Sequence, residues 1–81
     1  MTFDVQFFAR YREVLGVDAE QVEGDFTDIG QLRQHLLQRG GAWAVLAEQS
    51  LMCARNQELC SLDEPLVEGD EVAFFPTVTG G

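Results

Sequence analysis

One segment near the middle of this chain has a true helical period, and short strand-like segments surround it on both sides. Ile29, Leu32, Leu36 and Leu37 recur at the three-to-four residue spacing that lines up one face of a helix. Asp28 stands where an N-cap belongs, Gln31 follows at capping-box spacing, and Gly40-Gly41 supply a stop. Gly30 inside the first turn costs about 1 kcal/mol relative to Ala, so this helix has to lean on packing. With strand-like segments on both sides of it, this predicts one helix laid across a sheet.

The flanking segments supply that sheet. Phe3, Val5 and Phe7 alternate with Asp4 and Gln6, the period-two signature of a half-buried strand, and Phe8 breaks the alternation by putting an aromatic on the polar face. Ala9 to Leu15 predicts a short helical turn ending at Gly16. Ala19 to Val22 predicts a second strand closed off by Gly24-Asp25. Ala42 to Glu48 predicts a further helical turn, with Trp43 and Leu46 pointing inward. Leu51 to Arg55 reads as a third strand, Asn56-Gln57 as a turn and Glu58 to Leu62 as a short fourth strand. Turn signals at residues 63–66 and 68–70 precede a last strand, Glu71 to Phe75. The expected architecture is an α+β roll: a mixed sheet of about five strands, one main helix and one or two short ones. The first and last strands are expected to pair in parallel at the middle of the sheet, so that the chain leaves the sheet from its centre.

Composition narrows the function. Eighty-one residues bury one core and no second one. Fourteen acidic residues against five arginines, with no lysine, give a net charge of −9. Nucleic-acid binding draws on clustered cations, and this chain has few and scattered ones, so that class is excluded. An acidic surface serves solubility or steers the chain toward basic partners. The absence of Lys also removes every side-chain amine that an activated carboxyl group would acylate. No apolar run approaches the roughly 20 residues of a membrane span, and no basic segment with a cleavage site opens the chain, so a cytoplasmic protein is expected. Cys53 and Cys60 are not a zinc pattern and read as reduced, buried small hydrophobes. His35, among Gln31, Gln34 and Gln38, reads as solvated.

After Phe75, the chain runs Pro76-Thr77-Val78-Thr79-Gly80-Gly81. Pro76 has no amide hydrogen and ends a central strand, while the β-branched residues that follow prefer extended backbone. Fully extended, 76–81 reach about 20 Å. Two glycines without Cβ pass through a slot that admits only backbone, and the terminal carboxyl group is ionised near neutrality. A carboxylate needs activation before it can act as an acyl group, and the chain contains neither a phosphate-cradling loop nor a nucleophile–base pair to do this. Residues 1–75 are therefore expected to form the domain and 76–81 an extended, flexible reactive tail.

Phe7-Phe8-Ala9, Arg12-Glu13, Gly16, Leu32-Arg33-Gln34-His35, Asn56-Gln57, Pro65-Leu66 and above all the run Gly69-Asp70-Glu71-Val72-Ala73-Phe74-Phe75-Pro76 to Val78-Thr79-Gly80-Gly81 resemble the sulfur-carrier subunits of molybdopterin synthase, within the ubiquitin-like β-grasp superfamily. The resemblance covers essentially the whole chain. It implies that an adenylating enzyme, similar to the ubiquitin-activating enzymes, uses ATP to activate Gly81, and that a sulfur donor protein converts it to a thiocarboxylate. The tail then enters the large subunit of a heterotetrameric synthase and gives its sulfur to a cyclic pyranopterin precursor in molybdenum cofactor biosynthesis. Gly81 carries the sulfur, Gly80 keeps the approach narrow, and Pro76, Thr77, Val78 and Thr79 span the channel. Phe8 and Phe75 are candidates for an apolar docking patch. No cofactor or metal is expected on this chain, no catalytic residue of its own, and no membrane or nucleic-acid partner. Arg55, where such chains usually have an apolar residue, and Gly30 depart from the pattern. Three alternatives stand beside this: a thiamine-pathway sulfur carrier, a ubiquitin-like modifier forming isopeptide bonds, and a pure interaction module with an inert tail.

Overall fold

Alternation in the first seven residues produces the strand β1, Thr2–Phe7, with Phe3, Val5 and Phe7 buried and Asp4 exposed. The structure is a computed structural model in which residues 1–77 are described. After β1 come α1 (Ala9–Leu15), β2 (Ala19–Glu23), α2 (Ile29–Leu37), a 3₁₀ helix (Gly41–Ala47), β3 (Met52–Arg55), β4 (Glu58–Cys60) and β5 (Glu71–Phe75). The strands form one mixed sheet in the order β2-β1-β5-β3-β4. β1 and β5 run parallel and every other pair is antiparallel. The parallel central pair expected from the sequence is present, and β5 delivers the chain to Pro76 from mid-sheet.

The core lies between one face of the sheet and the helices. Phe3, Val5, Phe7, Val72 and Phe74 point inward and meet Ile29, Leu32 and Leu36 of α2, Tyr11 of α1 and Leu46 of the 3₁₀ helix, all fully buried or nearly so. Each such side chain contributes about 1.5–3 kcal/mol by leaving water. Phe7 stacks on Phe74 at 6.3 Å and meets the edge of Trp43 at 5.5 Å. Trp43 is only half buried, because its outer face carries the Arg39 guanidinium at 4.4 Å.

Local signals hold with three corrections. Asp28 caps α2 by accepting from the Gln31 amide at 2.8 Å, but the Gln31 side chain returns to the Thr27 amide, one residue short of a reciprocal box. α2 ends at Leu37 rather than at the glycines; Gly40 and Gly41, both at positive φ, instead make the corner into the 3₁₀ helix. β4 stops at Cys60, because the chain must turn toward α2, where the Gly30 amide donates to the Leu62 carbonyl at 2.7 Å. That contact also accounts for Gly30: a Cβ there would sit 3.3 Å from the same carbonyl oxygen, so the helix start approaches the connection more closely than a side chain comfortably permits. His35 is exposed as expected, yet its ring lies against Phe26 at 5.0 Å and covers the core's edge.

Arg55, out of pattern as an apolar position, has a specific partner. Its Nε donates to Asp70 at 2.7 Å and its Nη1 to Glu64 at 3.3 Å. Asp70 is buried, and it also accepts from the Val67 amide at 2.8 Å and from Asn56 Nδ2 at 3.0 Å. Burial alone would raise the Asp70 carboxyl, but the Arg55 guanidinium, the Val67 amide and the Asn56 amide outweigh it and hold the group below the usual range. Because the folded value is depressed, the stabilisation is present above the unfolded value of about 3.9 and is lost as pH falls through the folded one. We expect Asp70→Ala to lower stability by about 2–3 kcal/mol near neutrality. The gap to the parent chain should shrink progressively as pH falls from about 4 toward the depressed folded value, at which the parent's own carboxyl protonates. Urea unfolding near neutrality and across that range measures this.

Candidate functional site

The site is the exit of β5 and the open sheet face around it. Along β5, Phe74 turns to the core, so Ala73 and Phe75 turn away from it. Across the ladders, Ala73 is opposite Ala54 of β3, and Ala54 is opposite Leu59 of β4. Two small side chains meet where most sheets would carry larger ones, and they leave a hollow. Around that alanine floor stand Phe8, Leu59, Phe75 and Pro76, enclosing a cavity of about 580 Å³. Phe8 is 44% exposed and Leu59 69% exposed, so two large apolar side chains are presented to solvent beside the exit.

Phe8 owes its position to the end of β1. Its amide still donates to the Phe74 carbonyl at 3.1 Å, extending the central ladder, and its extended backbone caps α1. The next residue, Ala9, then adopts φ +53°, a left-handed conformation that costs a non-glycine residue about 1–2 kcal/mol. This strained corner swings the chain off the sheet and leaves the Phe8 ring at the cavity rim. Strain of this kind concentrates at functional positions. At the other rim, the Thr77 hydroxyl donates to the Ser50 carbonyl and ties the start of the tail to the loop before β3.

The structure thus brings together Phe8, Phe75 and Pro76, all named from the sequence, with Thr77 adjoining. The remaining tail residues named there, Val78, Thr79, Gly80 and Gly81, lie outside the described residues. Sequence reasoning missed Ala54, Ala73, Leu59 and Ala9. The alternation of small and large residues in Ala73-Phe74-Phe75 hints at the floor, but only the register shows that two alanines meet. The far end of the open face is acidic: Asp4 and Glu71 are neighbours on the parallel β1–β5 pair. Among the described residues, no group of three or more His, Cys, Asp or Glu is gathered as a metal site would need, and no helix is long and apolar enough to cross a membrane.

A mixed sheet with a parallel central pair, one helix across it and a tail leaving the central strand beside an apolar hollow defines a ubiquitin-like β-grasp domain. The ThiS family model matches residues 5–81. The molybdopterin synthase sulfur carrier subunit of Escherichia coli is 51% identical over 78 residues, 95% of this chain and 96% of that one. The chain belongs to the ThiS family and groups there with the molybdopterin synthase sulfur carrier subunits. Among solved structures, a small archaeal modifier protein 1 of H. volcanii superposes with a TM-score of 0.77 at 26% identity, covering 95% of this chain and 98% of that one. The complex of subunits 1 and 2 of molybdopterin-converting factor from Helicobacter pylori contains a chain matching at TM-score 0.70 and 27% identity, with both chains covered in full.

Proposed function

We propose that this chain is the sulfur carrier of a two-subunit molybdopterin synthase and that Gly81 is the atom-carrying residue. Its near-full-length identity of 51% to a curated carrier subunit carries this assignment. The geometry supports it: the tail starts at a central strand, beside an apolar hollow suited to a partner surface. An adenylating enzyme spends ATP on the Gly81 carboxylate, a sulfur donor protein displaces the adenylate, and the resulting thiocarboxylate delivers sulfur to a pterin precursor inside the large subunit. A thiocarboxylate is the better nucleophile, and enclosure by the partner protects it from water. Pro76 to Thr79 cross the partner's channel, and Gly80 keeps the approach narrow. The chain brings no cofactor and no catalytic base of its own, and it works in the cytoplasm.

Co-expression with the activating enzyme and sulfur donor should raise the intact mass by about 16 Da, one oxygen exchanged for sulfur at the C-terminus. An unchanged mass with an active enzyme pair would overturn the proposal. The likeness to a small archaeal modifier favours a second reading, conjugation to lysines of other proteins. Thiol-resistant species of higher mass on a denaturing gel would support that one instead.

A further inference from the structure

The two cysteines of the chain face each other across a strand pair. Cys53 of β3 and Cys60 of β4 are direct partners in the antiparallel register, with Sγ atoms 3.9 Å apart. Both are free thiols. Directly opposed residues of an antiparallel pair have Cα atoms about 4.5–5.5 Å apart, within the span of a disulfide. Cys53 is buried, whereas Cys60 is half exposed, contrary to the sequence expectation of two buried thiols. β4 is an edge strand of three residues with a single neighbour, so it is the most easily displaced part of the sheet.

We propose that Cys53 and Cys60 are a reversible dithiol–disulfide pair that clasps the edge strand β4 to β3, oxidised by exchange with a low-molecular-weight disulfide. The Cys60 thiol loses its proton to solvent and attacks one sulfur of the small disulfide. The reagent's S–S bond breaks and one small thiolate leaves, taking up a proton. The Cys53 thiol then loses its proton and attacks Cys60 Sγ, the mixed disulfide breaks and the second small thiol leaves. Two electrons pass from the cysteine pair to the reagent. Burial pushes the Cys53 thiol up to about 12 and Cys60 in the same direction, so exchange near neutrality is slow and starts at the more exposed Cys60. The bridge lies on the core face of the same hairpin whose outer face presents Ala54 and Leu59 to the docking hollow. Oxidation therefore fixes one wall of that hollow.

The test uses the full-length reduced chain, equilibrated with oxidised and reduced glutathione, folded and in urea. The folded monomer should lose about 2 Da, two hydrogens, and recover them with a reductant. Cleavage after Arg55 should yield two fragments joined through Cys53 and Cys60. The fold presents the thiols already opposed, so half-oxidation should need about tenfold less oxidising glutathione than in urea. Cys60→Ser, at a half-exposed edge position, should fold and show no bridge. A stable glutathione adduct on Cys60 with Cys53 still free, covalent dimers, or folded-state oxidation no easier than in urea would each overturn the proposal.

Discussion

A chain ending at Gly80 is expected to fold as the parent does, to bind the large subunit and to transfer no measurable sulfur. The last strand ends at Phe75, six positions before the deleted residue, so the sheet itself is left complete. The deletion does move the carboxyl group back along the chain by about 3.3 Å. Misplacing a reacting atom by about 1 Å can already cost about 100-fold, and adenylation and sulfur transfer each require the terminal atom in place. The loss should therefore exceed about 100-fold in a sulfur-transfer assay with the activating enzyme, while the melting curve and the partner affinity stay at parent values. Full retention of transfer would exclude Gly81 as the carrier. Loss of partner binding would instead place the terminal residue in the docking surface.

Phe75→Arg is the second variant with a large expected effect. Phe75 is opposite Met52 and stands on the open face, back to back with the buried Phe74, so a long polar side chain there reaches solvent without entering the core. In the complex it would bring a charge into the largely apolar hollow formed by Phe8, Leu59 and the Ala54–Ala73 floor, at the cost of its desolvation. Central aromatic anchors of an interface are worth about 2 kcal/mol or more, so affinity for the large subunit should fall at least about 30-fold by calorimetry. Circular dichroism should show an intact fold. Unchanged binding would mean that the hollow is not the docking surface.

Much of the scaffold was legible in the residues because it depends on neighbours in the chain. The alternation of Phe3, Val5 and Phe7, the Asp28 cap and the stop at Gly16 are properties of seven or fewer consecutive residues, and each is found where expected. The parallel pairing of β1 with β5 was a hypothesis at the level of the sequence, and the register of the sheet establishes it. Arg55 and Gly30, both out of pattern, were unreadable for a common reason. The carboxylate that holds Arg55 lies fifteen positions away, and the carbonyl that meets Gly30 lies on the connection after β4.

By itself, then, the sequence determined the elements, their order and the glycine-ended tail, because hydrophobic period, capping and turn chemistry act over a few bonds. Tertiary structure alone decided which faces meet. It placed Ala54 opposite Ala73 to open a hollow, turned Phe8 onto its rim through the strained Ala9, and set Cys53 against Cys60. Register decides these contacts, and shifting a strand by one residue would send every one of its side chains to the other face.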